Sequence, residues 1–159
     1  MLSLRLLPMT RDDFDEWKSR SIKDYADEKV KAGNWTAEEA PRLAEQTFAS
    51  ILPKGFSTQD HHFFSIQNPS PGEKAGVVWY SINREGKRPF AYIWDFMIFE
   101  QHRRRGYASE ALNLLEERVR EQGLDTISLH VFGHNHPARE LYQKSGYVAT
   151  NVNMSKKIA

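Results

Sequence analysis

At 159 residues, with 40% hydrophobic and 27% charged residues, the chain has the makeup of one folded domain and not of a disordered segment. Its formal net charge of +1 provides no general pull toward nucleic acid or membrane, and the absence of cysteine excludes disulfides, thiolate metal sites and a thiolate nucleophile. The amino terminus carries no signal-peptide pattern and no apolar run approaches membrane-spanning length, so a cytoplasmic protein is expected.

In chain order, Leu2, Leu4 and Leu6 alternate over 2–7 as a first strand, stopped by Pro8. Thr10-x-x-Asp13 is an N-cap and acidic first turn for a helix carrying Phe14, Trp17, Tyr25 and Val30 and ending near Gly33. Thr36-x-x-Glu39 is a second capping-box pattern, opening a helix with Leu43, Ala44, Phe48 and Ile51 inward. Pro41 removes one N–H there, which predicts an irregular first turn. Segments 62–67 and 75–82 read as strands joined by the turn-rich Pro69-Ser70-Pro71-Gly72, and 83–89 is another turn. Residues 91–99 (AYIWDFMIF) form a nearly unbroken apolar run, the pattern of a buried strand.

Beyond that strand, Ala108, Ala111, Leu112, Leu115 and Val119 recur at helical spacing, with Gly123 as the C-cap. Residues 127–132 predict a strand, 135–145 a helix stopped by Gly146, and 147–156 a final strand or short hairpin. The resulting β-α-α-β-β-β-α-β-α-β order is that of an α/β sandwich, with no repeat or linker, and one domain over 1–159 is expected.

Between the apolar strand and the helix at 108 lies Arg103-Arg104-Arg105-Gly106-Tyr107-Ala108. A strand-to-helix turn presents unpaired backbone N–H groups and the positive end of the helix dipole, a site suited to an anion. Gly106 removes a Cβ where a ligand would approach, and three arginines add charge. Neither G-x-x-x-x-G-K-[ST] nor G-x-G-x-x-G is present, which excludes a P-loop and a dinucleotide fingerprint. Arg103-x-x-Gly106-x-Ala108 resembles the [Q/R]-x-x-G-x-[G/A] motif of the GNAT acetyltransferase superfamily. Downstream, Asn135-x-x-Ala138-x-x-Leu141-Tyr142-x-x-x-Gly146-Tyr147 resembles the N-x-x-A-x-x-L-Y-x-x-x-G-[F/Y] signature of the same superfamily. The resemblance is firm over about 91–157 and compatible with the first half, closest to small bacterial members.

That resemblance implies the GNAT fold, with a mixed central sheet, and acetyl-CoA as cosubstrate. On the family pattern, Arg103, Arg104, Arg105, Gly106, Tyr107, Ala108 and Ser109 meet its phosphates, with Arg104 standing where a glycine is often found. Met97 and Ile98 lie where the family strand bulges and parts from its neighbour, freeing backbone groups for pantetheine. Asn135 contacts the pantetheine arm; from the residues alone it also suits an N-cap before Pro137. Tyr142 matches the tyrosine that protonates the departing thiolate, although its helical spacing from Ala138 is equally that of a core residue.

The general base is open between His130, five residues before Asn135, and Asp95 on the preceding strand; both also have ordinary structural readings. His61-His62 and His134-x-His136 lack the spacing of a metal motif, and no metal is expected. The function expected is direct transfer of an acetyl group to a primary amine in a ternary complex. The acceptor would lie over the first two helices, with Asp24, Tyr25 and Glu28 as candidate lining groups. The alternative is a non-catalytic acyl-CoA-binding regulatory module on the same fold. No nucleic-acid or membrane partner is expected, and an edge strand at the carboxyl end would allow a homodimer.

Overall fold

The computed structural model describes residues 4–69 and 72–159, so Leu2 and the tip of the Pro69–Gly72 turn lie outside the described residues. Five strands, β1 (Arg5–Pro8), β2 (His61–Gln67), β3 (Lys74–Asn83), β4 (Phe90–Ile98) and β5 (Ile127–Leu129), form one sheet in chain order. The first four pair antiparallel, and β5 joins β4 in parallel after a helical crossover. Pro8 does not stop β1 but is its last paired residue, opposite Phe64. It is tolerated because β1 is an edge strand.

Among the described residues four helices flank the sheet: α1 (Arg11–Lys31), α2 (Ala40–Ile51), α3 (Tyr107–Glu121) and α4 (His136–Lys144). A reciprocal capping box starts α1: Thr10 Oγ1 accepts from the Asp13 amide and Asp13 accepts from the Thr10 amide. The Thr36–Glu39 pair makes the same two bonds, but within a turn that precedes α2. The helix itself begins at Ala40, which puts Pro41 in the first turn, where its missing N–H costs no helical bond.

Helices α1 and α2 cover one sheet face with an aromatic cluster of Phe14, Trp17, Phe48, Phe63 and Trp79. Phe14 meets Phe63 at 4.8 Å and Trp17 meets Trp79 at 5.2 Å, both edge-to-face. Trp17 and Phe14 are each 2% exposed, and burial of one such side chain contributes about 1.5–3 kcal/mol. On the other face Ala111, Leu112, Leu115 and Val119 of α3 pack on Val78, Tyr80, Ala91 and Ile93.

Two expectations near the carboxyl end are corrected. The strand at 127–132 stops at Leu129, because β5 pairs with β4 only along Ala91–Ile93. The final strand over 147–156 is not formed: 147–159 has no regular structure, and Val148, Val152, Met154 and Ile158 are exposed. An alternating pattern becomes a strand only where a neighbouring edge takes its backbone hydrogen bonds, and none does so here.

Candidate active site

A β-bulge initiates the site. Trp79 pairs with Asp95 while Tyr80 pairs with Ile93, which leaves Trp94 as the extra residue of β4. Consecutive side chains Trp94 and Asp95 therefore both reach the α1 side of the sheet. Trp94 stacks on Trp79 at 5.3 Å and donates from Nε1 to Ser81 Oγ at 2.8 Å. Asp95 Oδ2 accepts from Trp17 Nε1 at 2.9 Å and Ser21 Oγ at 3.3 Å, both from α1.

The bulge lies three residues before the position expected from the resemblance. Met97 and Ile98 keep regular register with Val77 and Gly76, and the close approach is absorbed by Gly76. A Cβ there would stand 2.1 Å from the Met97 carbonyl oxygen. The parting of the strands is present: β5 follows β4 only as far as Ile93, so 94–98 have no partner on the β5 side. Between them opens a cleft of about 800 Å³, walled also by α1 and α4.

The basic turn closes one end. Ile98 leads through a short 3₁₀ turn (Glu100–His102) to α3, whose N-cap Gly106 has φ +75° and whose first turn carries no side-chain cap. The amides of Tyr107, Ala108 and Ser109 thus stand open at a helix N-terminus. Arg104, at φ +63°, takes the left-handed conformation that glycine adopts without cost and keeps its side chain in solvent. Arg103 is used differently: its Nε donates to the Ile98 carbonyl at 2.9 Å, pinning the turn to the end of β4. His102, missed in the sequence, is buried beneath the turn against Tyr107, with Nε2 3.6 Å from Glu73 and Nδ1 unpaired.

Met97, Ile98, Arg103, Arg104, Gly106, Tyr107, Ala108, Ser109, His130, Asn135 and Tyr142 all line this cleft; Arg105 does not. Arg105 is exposed, between the left-handed residues Arg104 and Gly106. Asn135 Oδ1 accepts from the Ala138 amide at 3.3 Å and caps α4, so its N-cap role is real. The rest of its amide remains free to face the cleft.

Electrostatics sort the titratable groups. Burial, with help from Tyr147 and Asp95, holds the Tyr142 phenol well above its usual range. The neighbouring Tyr147, 5.5 Å away ring to ring, is pushed up to about 12 by its own burial and by Glu116. Partial burial and Lys29 lower His130, which favours the neutral imidazole. Burial raises Asp95, opposed by Trp17, Ser21 and Arg20 and reinforced by Asp24. Among the described residues no group of three His, Cys, Asp or Glu side chains is placed to hold a metal, and no helix is long and apolar enough to cross a membrane.

An anion-ready helix terminus, a free strand edge and a buried phenol therefore share one cleft with an imidazole and a carboxylate. Residues 12–147 match the Acetyltransferase (GNAT) family. The chain is 41% identical to the uncharacterized N-acetyltransferase YycN of Bacillus subtilis, over 99% of this chain and all of the relative. It is 35% identical to YdgE of the same organism, also described as an uncharacterized N-acetyltransferase, over 99% of each chain. The crystal structure of YycN superposes with a TM-score of 0.94 at 39% identity, covering 99% of both chains.

Proposed function

The chain belongs to the GNAT family of N-acetyltransferases, and from that footing we propose that it moves an acetyl group from acetyl-CoA to a primary amine, directly, in a ternary complex. The observation that carries this reading is the parting of β4 and β5 at Trp94, which joins the α3 N-terminus and Tyr142 in one cleft.

When bound, acetyl-CoA supplies the acetyl thioester that the amine attacks. The open amides of Tyr107, Ala108 and Ser109, with Arg104 beside them, suit its phosphates. The free backbone of Met97 and Ile98 and the Asn135 amide suit its pantetheine amides. His130, kept neutral, takes one proton from the acceptor ammonium at an imidazole nitrogen, leaving a nucleophilic lone pair. Carbon–nitrogen bond formation is matched by carbon–sulfur cleavage. Tyr142 Oη holds the proton that the departing sulfur requires, and recovers one as the new amide loses its second N–H proton. The products are the acetamide, CoA thiol and one proton released to solvent.

Asp95, the rival base, is engaged on one oxygen by two α1 donors and suits a role in holding the acceptor. We assign the reaction to the cytoplasm, with the five-stranded sheet and its helices acting as one catalytic unit. The test is to follow thiol release from acetyl-CoA across a panel of primary amines, with mass spectrometry of the products. Release coupled to acetylated amine supports the reading. Acetyl-CoA binding with no release for any amine would replace it with the non-catalytic binding module.

A further inference from the structure

β5 ends at Leu129, its last residue paired with β4, and among the described residues no strand ladder holds the chain between there and α4. Three side chains at alternate positions of this crossing are aromatic: His130, Phe132 and His134. They touch in order. The His130 and Phe132 rings stand 5.0 Å apart and nearly perpendicular, and Phe132 stacks on His134 at 5.5 Å. His134 Nε2 then meets Glu28 Oε2 on α1. A continuous line of contacts therefore runs from His130 to the opposite wall of the cleft.

The far members of this line are anchored. The Phe132 carbonyl accepts from the Asn135 amide at 2.9 Å, and the Gly133 carbonyl accepts from Arg139 at 3.2 Å, which fastens the crossing to the start of α4. Glu28 belongs to α1, which Trp17 and Ser21 fix to Asp95. His130 differs from them. Among the described residues no hydrogen bond reaches its ring, and Phe132 is the one ring packed against it. An exposed side chain with neither tie is free to change rotamer, and the perpendicular Phe132 ring is what limits it. The next residue of α1, Lys29, lies over the Tyr25 and Trp35 rings at 5.8 and 5.2 Å. Burial and Lys29 both disfavour charge on His130, so α1 acts on this imidazole by contact at Glu28 and by charge at Lys29.

We propose that Glu28, His134 and Phe132 are positioning residues for the base: the Glu28–His134 contact sets the loop after β5, and Phe132 passes that setting to the His130 ring. This rests on the acetyl-transfer reading in which His130 takes the ammonium proton. Proton transfer requires the imidazole nitrogen within about 2.6–3.2 Å of the amine, and a misplacement of about 1 Å costs about 10²-fold. A loop without strand pairing does not hold that tolerance through its backbone, so the side-chain line supplies it. Because Glu28 sits on the helix that roofs the cleft, a shift of α1 against an acceptor carries the base with it.

The test is a set of mutant cycles read by kcat and, independently, by NMR of the His130 imidazole. Phe132→Ala and His134→Ala are each expected to lower kcat about tenfold with acetyl-CoA affinity unchanged. Phe132→Tyr keeps the ring and should retain most of the activity. In a His130→Gln background the same alanine changes should cost less than about twofold, because the group they position is gone. Full, additive losses in that background would overturn the proposal and leave these side chains a packing role alone. The imidazole spectrum needs no turnover. Glu28→Gln and His134→Ala are expected to shift or broaden the His130 Cε1–H signal, whereas Glu140→Gln, on an exposed part of α4, leaves it in place. A His130 signal unmoved in both variants would also overturn the proposal. Wild type that transfers acetyl to no amine would overturn the acetyl-transfer reading and the base with it, while the spectrum still decides whether this line of contacts orders His130.

Discussion

The Trp17 indole N–H donates to Asp95 Oδ2 across 2.9 Å, a bond that spans 78 positions in sequence and ties α1 to the bulged stretch of β4. It fixes the carboxylate at the floor of the cleft and sets α1 as its roof. Burial outweighs this bond and raises the Asp95 pKa above the ordinary 3.8, which makes the ionised carboxyl a liability for stability. A carboxyl whose folded pKa is raised contributes stability that is complete below its unfolded value and declines as pH rises through the folded value.

Replacement by asparagine keeps an acceptor for Trp17 and removes the charge. Asp95→Asn is therefore expected to melt at or above the wild-type temperature at pH 7, with the gap narrowing as pH falls toward 4. Thermal melts across that range measure it. A variant that melts well below wild type at pH 7 would show that the ionised carboxylate stabilises the fold.

Tyr142→Phe keeps the ring against Tyr147 and loses the proton. The expected result is a fall in kcat of about 10²-fold or more, the usual contribution of a positioned acid, with acetyl-CoA binding retained. Because the phenol lies above its usual range, its ionisation should not limit activity up to about pH 10. Steady-state kinetics beside a binding titration separate the two effects. Equal kcat for the variant would remove Tyr142 as the acid.

His130 should appear as the acidic limb of the pH profile. Its pKa is lowered from 6.5, so the profile of kcat/KM is expected to rise through a midpoint below that value. That limb should disappear in His130→Gln. A limb that persists unchanged in the variant would assign the base elsewhere, with Asp95 next in line.

At Gly76 the β4 backbone leaves no room for a side chain. An added Cβ would meet the Met97 carbonyl at 2.1 Å, Ile98 Cα at 3.1 Å and the Met97 carbonyl carbon at 3.1 Å, all backbone atoms that cannot swing away. Gly76→Ala should destabilise by about 3 kcal/mol or more, a value in the range of severe steric or strain defects. Chemical denaturation gives the number, and a loss below about 1 kcal/mol would mean that β4 can move.

What could be read in the sequence follows from how locally each feature is encoded. The turn at Arg103–Ala108 was legible because a glycine and a run of charge at fixed spacing specify a helix start that needs no distant partner. The Thr10–Asp13 capping box was legible for the same reason. The bulge was misplaced because it is a property of register, decided by which residue of β3 faces Asp95. Met97 and Ile98 look the same whether or not they are paired. Arg105 belongs to the same turn but is not part of the cleft lining, a distinction that motif spacing does not carry. The segment from Tyr147 alternates as a strand does, but alternation supplies a face and not an edge to pair with. The role of Asp95 required Trp17, brought beside it only by the packing of α1.

Acetyl-CoA binding at the α3 N-terminus is decided by a thermal-shift titration with acetyl-CoA on wild type and Gly106→Glu. Gly106 sits at φ +75°, so the variant is compared with its own unliganded melting point. At one hundred times its dissociation constant, acetyl-CoA should stabilise wild type by about 2.7 kcal/mol and leave Gly106→Glu unmoved. Equal shifts in both proteins, or no shift in either, would contradict the placement of the acetyl-CoA site.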